Sequence, residues 1–267
     1  MIEARKRLRD AKRIVIKIGT SSLVYGNGKA NLKRIQTLAR VLSDLMNMGK
    51  EIVLVSSGAI GLGVDKLNLT EKPHTVSGRQ AVAAVGQVSL MQIYNRAFGD
   101  YGYACGQVLL TKYTVSSDDS RANSINTFNT LLEMNILPIV NENDTVAVDE
   151  IKFGDNDNLS CIVAELTSAD LLIILTDTDG YYSKNPSDNP DAVMYRNISD
   201  LSEQIEAAAG GAGNLGTGGM LTKVHASRIA AENGTDAIIA NGNDPEIIYD
   251  ILNGEDVGTL FIAKENP

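Results

Sequence analysis

Apolar runs rich in β-branched residues recur along the chain, and segments with helical periodicity separate them. This alternation is typical of parallel strands that are linked by crossover helices. Longer helical stretches are predicted over residues 76–98, 120–134 and 158–169. The strand candidates are RIVIKI at 13–18, EIVLVS at 51–56, ACGQVLL at 104–110, ILPIVN at 136–141, DLLIILT at 170–176 and DAIIA at 236–240.

The segment after the first strand predicts an amphipathic helix that starts near Asn31 and is closed by Gly49 as a C-cap. Further on, TVAVDEIKFG at 145–154 alternates and predicts a hairpin. No linker rich in Pro, Gly or Ser divides the chain. We therefore predict an α/β fold, a three-layer αβα sandwich with a mostly parallel central sheet, built as a single domain over 1–267. Ligands should bind at the carboxyl ends of its strands.

Composition narrows the range of partners. The 267 residues carry a formal charge of -9, with 24 Lys+Arg against 33 Asp+Glu, which argues against nucleic acid or an anionic membrane as a partner. We interpret the basic cluster Arg5–Arg13 as a solvated helix face. The charged N-terminus has neither an apolar signal core nor a spanning segment, so a cytoplasmic location is expected. Cys105 and Cys161 match no metal or redox spacing and are interpreted as small buried hydrophobes.

Small, hydroxylated or acidic residues follow several predicted strands. The first strand ends in KIGTSS, the second in SSGAIGLG, the fourth in NEND and the fifth in TDTDG. In the second of these, Gly58 turns the chain into a helix, whose free N–H groups would face an anion. The simpler interpretation is a tight turn that needs glycine.

Two glycine-rich stretches resemble nucleotide motifs without matching them. GTGGMLTK at 216–223 is not a Walker A loop, because Lys223 does not follow a glycine and Val224 occupies the hydroxyl position. GAGNLG at 211–216 fits GxGxxG, with Asp236 at the usual distance, but the preceding DLSEQIEAAA is helical rather than strand-like. We interpret that glycine run as a hinge leading into the helix of Lys223.

Lys17 in the first strand and Lys223 in a late helix suggest two point charges that approach one polyanion from opposite sides. Asp155, Asn156 and Asp157 in GDND could orient these lysines or hold Mg²⁺ through its waters, although Gly, Asp and Asn also dominate ordinary turns. Because His74 and His225 are the only histidines in the sequence, it offers almost no residues for a histidine metal cluster or a serine triad. A carboxylate nucleophile would need no histidine, because it is ionised at neutral pH.

Taken together, these loops resemble the amino acid kinase family, and within it the members that phosphorylate free glutamate. The resemblance extends from about Arg13 to Ile262. It rests on VIKIGTSSL, SSGAIGLG, NENDTV, FGDNDNLS, LTDTDGYYSKNP and GTGGMLTK, which occur in family order.

The resemblance implies transfer of the γ-phosphoryl group of ATP to the side-chain carboxylate of L-glutamate, with Mg²⁺ bridging phosphates. The N-terminal lobe, about 1–165, would bind glutamate, and the C-terminal lobe, about 166–267, would bind ATP. The implied catalytic residues are Lys17, Lys223 and Asp157. The implied glutamate site comprises Ser57, Gly58, Asp144 and Asn156. The implied nucleotide site comprises Lys17, Gly19, Thr176, Asp177, Thr217, Gly218, Gly219, Met220, Leu221, Thr222 and Lys223.

The resemblance also implies a place at the start of proline biosynthesis, inhibition by proline and assembly into a homo-oligomer. Many members carry an additional C-terminal PUA domain, and since the sequence ends at Pro267 a form without it is expected. Asn185 stands where relatives often have aspartate.

Several alternatives remain at this point. One is a sibling carboxylate kinase acting on N-acetylglutamate or aspartate, and another is a uridylate kinase, although the second-strand loop lacks basic residues for a nucleotide phosphate. The alternative from a different class is a catalytically silent amino-acid sensor on the same fold. The presence of Lys17, Asp157 and Lys223 together favours the kinase.

Overall fold

The computed structural model describes residues 2–147, 156–203, 205 and 219–264. All six predicted strands are confirmed, with ends that shift by one residue at most. Two further strands were missed, because two or three residues are too short to show a periodicity. The strands are β1 Arg13–Ile18, β2 Glu51–Ser56, β3 Cys105–Leu110, β4 Leu137–Glu142, β5 Leu171–Thr176, β6 Asn197–Ile198, β7 Asp236–Asn241 and β8 Thr259–Phe261.

Within the described residues these strands form one eight-stranded sheet in the order β3-β4-β2-β1-β5-β7-β8-β6. Neighbours from β3 to β7 are parallel, whereas β8 runs antiparallel to β7 and pairs in parallel with β6. The predicted α/β fold with a mostly parallel sheet is confirmed. Most of the hairpin predicted at 145–154 lies outside the described residues.

Helices cover both faces of the sheet, and the predicted ones are confirmed. In α3, the Asn31 side chain accepts a hydrogen bond from the Arg34 N–H, and Gly49 follows the helix at φ 84°. The helices are α1 Ile2–Lys6, α2 Thr20–Leu23, α3 Leu32–Asn47, α4 Ala59–Lys66, α5 Val76–Gly99, α6 Lys112–Ser116, α7 Asp118–Glu133, α8 Asn156–Leu166, α9 Met220–Glu232 and α10 Ile247–Leu252, with a 3-10 turn at Arg7–Asp10.

Alternation along β1 places its side chains in two cores. Ile14, Ile16 and Ile18 pack with α3, α5 and α10 on one face, while Val15 belongs to the core under α8 and α9. Lys17 shares the face of Val15, because residues two apart in a strand point the same way. A lysine in an otherwise apolar buried strand is thereby directed towards α8 and α9.

The N-terminal basic cluster is only partly the solvated helix face that we expected: Lys6, Arg9 and Lys12 are exposed, but Arg5 is not. Arg5 is buried, and its guanidinium donates hydrogen bonds to the backbone oxygens of Glu255, Val257, Gly258 and Arg196. It therefore ties the start of the chain to the β6–β8 edge of the sheet. The interpretation as a solvated face is wrong for this residue, because its partners lie some two hundred positions away.

The two cysteines differ in exposure. Cys161 is buried, as expected, whereas Cys105 is only half-buried, and burial raises the pKa of each thiol to about 12. No helix in the described ranges is long and apolar enough to cross a membrane.

Helices α4 and α5 touch through glycines, and this contact yields a stability prediction. A Cβ on Gly86 would lie 1.7 Å from Ala59 O and 2.6 Å from Gly63 N. Gly86→Ala should therefore push the helices apart and lower the free energy of unfolding by about 1–3 kcal/mol in urea titrations. Gly99→Ala, near the end of the same helix, is the control because its Cβ meets nothing within 4 Å. Equal stabilities for both variants would refute the close contact.

Candidate active site

A cavity of about 630 Å³ opens at the carboxyl ends of the central strands. This is the sheet edge at which ligands were expected. Its wall combines glycines, hydroxyl groups, amides, acids and lysines: Lys17, Gly19, Thr20, Ser21, Gly28, Ser57, Gly58, Ala59, Ile60, Gly61, Val64, Lys72, Asn141, Glu142, Asp144, Asn156, Leu175, Thr176, Asp177 and Lys223.

Two lysines and one aspartate meet at this cavity. Lys17 Nζ from β1 lies 2.6 Å from Asp157 Oδ1, and Lys223 Nζ from α9 lies 3.0 Å from Asp157 Oδ2. The lysine side chains are 6% and 7% exposed and that of Asp157 is 0% exposed. Three separate elements thus bring one buried carboxylate between two ammonium groups, and of the GDND residues it is Asp157 that contacts both lysines.

The charges of this cluster do not cancel. Burial raises the pKa of Asp157, but Lys17 and Lys223 lower it by more, so the net pKa lies below the ordinary value. The carboxylate is consequently ionised at neutral pH. Two positive charges against one negative charge leave an excess positive charge on this cluster, which suits the phosphates of a polyanionic ligand.

The first turn of α9 supports the same carboxylate. Thr222 Oγ1 lies 2.8 Å from both Asp157 Oδ2 and Gly219 O, so its single proton serves one of these acceptors. Gly219 precedes the helix and leaves the first N–H groups of α9 without side-chain caps. Thr217 and Gly218 lie outside the described residues.

The opposite wall is built from β2, β4 and the start of α8. Asn156 Nδ2 lies 2.8 Å from Ser57 Oγ and 2.9 Å from Asn141 Oδ1. Gly58 begins α4 at φ 104°, a left-handed conformation that strains any residue with a Cβ. The N-terminus of α4 faces the cavity as a result.

One family model matches residues 12–241, which is most of the chain. The chain belongs to the amino acid kinase family. Among its relatives, the glutamate 5-kinase of Clostridium perfringens is 57% identical over 266 residues, covering 98% of this chain and 99% of that protein. Those of Listeria innocua and Enterococcus faecalis are 55% and 54% identical, covering 98% and 97% of this chain and 96% and 97% of theirs.

Solved structures agree on the amino acid kinase fold. Carbamate kinase from Giardia lamblia bound to AMP-PNP has a TM-score of 0.69 at 18% identity, covering 96% of this chain and 100% of that one. The isopentenyl phosphate kinase of T. acidophilum has a TM-score of 0.65 at 21% identity, covering 93% and 99%. The resemblance predicted from the sequence is confirmed.

Most of the family positions predicted from the sequence lie at this cavity. The cavity is lined by all four residues of the implied glutamate site, Ser57, Gly58, Asp144 and Asn156. It is also lined by three residues of the implied nucleotide site, Gly19, Thr176 and Asp177. Four of the predicted nucleotide-site residues around the start of α9 are half-buried and do not line the cavity: Gly219, Met220, Leu221 and Thr222. Several lining residues were missed, notably Lys72, Asn141 and Glu142. The last two complete the buried strand β4, and polar residues in a buried strand were the available signal.

The described residues contain no group of three or more acidic, histidine or cysteine side chains that could cage a metal ion. Both carboxylate oxygens of Asp157 are held by lysines, so Asp157 does not have the role of a direct metal ligand here. Asp155 lies outside the described residues. This donor set fits a Mg²⁺ ion that arrives on phosphate oxygens and keeps several waters, which is its usual preference.

Proposed function

We propose that this chain transfers the γ-phosphoryl group of ATP to the side-chain carboxylate of L-glutamate, forming γ-glutamyl phosphate and ADP. This reaction opens proline synthesis. The substrate assignment is carried by one observation: relatives that match this chain at more than half of its positions, end to end, are glutamate 5-kinases. The cationic cluster at the cavity supports a phosphoryl transfer.

The chemistry requires little beyond positioning. A carboxylate oxygen of glutamate attacks the γ-phosphorus, and the bond from that phosphorus to the β,γ-bridging oxygen breaks, so ADP leaves with the electron pair. Because the nucleophile is already ionised at neutral pH, no general base is needed. The barrier arises mainly from bringing an anion against a polyanion, which makes charge neutralisation the principal task of the protein.

Lys17 and Lys223 perform this task. Their ammonium groups would stabilise the charge on the equatorial oxygens of the transferring group, from two sides. Asp157 would fix both ammonium groups in place, since each of its oxygens holds one of them. The backbone N–H groups near Gly19 and Gly58 would approach the same oxygens, aided by the positive end of α4.

We assign glutamate to the wall that carries Ser57, Asp144 and Asn156, and ATP to the wall that carries Thr176, Asp177 and the start of α9. Mg²⁺, when bound, supplies further neutralisation of the phosphates. Glu142 and Asp177, the acidic residues that end β4 and follow β5 at the cavity, would hold it through its water ligands.

The decisive test is ADP release in the presence of Mg²⁺ and ATP, with free glutamate, N-acetylglutamate, aspartate and UMP as separate acceptors. We expect turnover with glutamate alone, and hydroxamate trapping of the acyl phosphate identifies the product. Turnover with another acceptor would reassign the substrate, and clean glutamate binding without turnover would favour the sensor. Titrating L-proline into the same assay tests inhibition, which we include in the proposal together with homo-oligomeric assembly.

Ser57→Ala provides a more local test of the glutamate wall. Loss of one hydrogen-bonding group should raise KM for glutamate about tenfold, because a single bond is worth about 1–1.5 kcal/mol. KM for ATP should stay unchanged. Ser187→Ala removes a hydroxyl from an exposed turn and serves as the control. If Ser57→Ala raised KM for ATP and not for glutamate, the two walls would be assigned the wrong way round.

A further inference from the structure

A row of amide side chains connects helix α5 with the proposed glutamate wall. Gln87 is only 8% exposed, and its Oε1 accepts a hydrogen bond from Asn141 Nδ2 at 3.0 Å. Asn141 Oδ1 in turn accepts from Asn156 Nδ2, which also donates to Ser57 Oγ. Asn141, Asn156 and Ser57 line the cavity, whereas Gln87 lies outside its wall.

One backbone group determines the orientation of all three amides. The N–H of Glu142 donates to Asn141 Oδ1 at 2.9 Å, and a backbone N–H can only donate. The Asn141 nitrogen must therefore face Gln87, which has to present its oxygen. Asn156 must likewise present its nitrogen to Asn141 Oδ1. Both N–H bonds of Asn156 are directed at protein acceptors, so the atom it offers to a ligand is its oxygen.

A glutamine at position 87 lowers the stability of the fold, so packing alone does not explain it. Its Nε2 is buried and has no hydrogen-bond partner among the described residues. An unsatisfied buried donor lowers stability, and an apolar side chain of the same length would avoid that cost. The contribution of Gln87 consequently lies in its oxygen, which holds the nitrogen of Asn141.

We infer that Gln87 is a positioning residue for the phosphoryl acceptor, holding the Asn141 and Asn156 amides so that the oxygen of Asn156 faces the ammonium group of an amino acid. This inference rests on the proposed function and extends it beyond the cavity wall. Without the acceptor at Gln87, the Asn141 amide turns towards cavity water to satisfy its nitrogen. Its oxygen then leaves Asn156, and the Asn156 amide is free to rotate.

The test compares Gln87→Met with Gln92→Met, an exposed glutamine on the same helix. Gln87→Met should raise KM for glutamate about tenfold, the effect of one positioned hydrogen bond, and leave KM for ATP and the urea midpoint unchanged. Gln92→Met should match the wild type throughout. If Gln87→Met does not fold, Gln87→Ala carries the same expectation because it adds no atoms.

A double-mutant cycle with Asn156→Ala separates positioning from packing. If Gln87 acts through Asn156, the double variant should raise KM for glutamate no further than Asn156→Ala does alone. Additive effects, an unchanged KM for glutamate, or equal shifts of both KM values with a lowered urea midpoint would each overturn the inference. If the wild-type chain does not phosphorylate glutamate, the proposed function is wrong as well. That failure is seen in the wild-type assay alone, so it is distinguishable from a failure of the Gln87 inference.

Discussion

Replacing Lys223 with alanine should lower kcat by a factor of ~10² to 10³, the usual loss when one preorganised donor to a transition state is removed. Lys223 Nζ lies at the cavity and is held by Asp157 Oδ2 at 3.0 Å. Because negative charge on the equatorial oxygens is stabilised mainly during transfer, the loss should fall on kcat more than on KM for either substrate. Steady-state kinetics with varied ATP and varied glutamate measure this division.

The Lys223→Ala variant should still fold, because Lys17 Nζ continues to pair with Asp157 Oδ1, at 2.6 Å in the wild type. Lys223→Met, which keeps the length of the side chain and removes the charge, should lose as much turnover as alanine. Lys184→Ala is the matched control, because Lys184 also pairs with an aspartate but is exposed. A folded Lys223→Ala enzyme within tenfold of wild-type kcat would exclude this lysine from the transition state.

The sequence predicted the parallel sheet because each of its core strands is a continuous apolar run. The same pattern identified Lys17 as a candidate site residue, because a charged lysine within a buried strand needs a buried partner. The identity of that partner was a hypothesis based on GDND, and the structure brings Asp157 to both lysines from a third element. Resemblance to a family supplied the substrate, which neither spacing nor composition indicates.

What the sequence did not predict depends on contacts between distant segments. Arg5 carries no local sign of burial, because the carbonyl groups that accept its hydrogen bonds belong to the other end of the chain. Nothing in the sequence of α5 distinguishes Gln87 from other polar residues of that helix. Its contact with Asn141 arises only from the way α5 packs against β4. The short strand β8 forms against the edge of the longer β7, and β6 then pairs with β8.

Asp157→Asn should have the largest effect on stability, lowering the free energy of unfolding by about 3–5 kcal/mol, as expected when one member of a buried ion pair is removed. Its carboxylate is fully buried and faces two ammonium groups. Turnover should fall together with stability, because the amide cannot hold both lysines in place. Urea unfolding and kcat at neutral pH measure the two effects.

The pH dependence of this loss tests its electrostatic origin. The pKa of Asp157 is lower in the folded chain than its ordinary value, so its stabilising contribution is fully present above about pH 4, the unfolded value, and disappears as pH falls through the folded pKa. The difference between wild type and Asp157→Asn should thus be constant from pH 6 to pH 8 and shrink below about pH 4. Asp191→Asn, which breaks the exposed pair with Lys184, should cost about 1 kcal/mol or less. If Asp157→Asn behaved like Asp191→Asn in stability and kept its turnover, the buried carboxylate would not organise the two lysines.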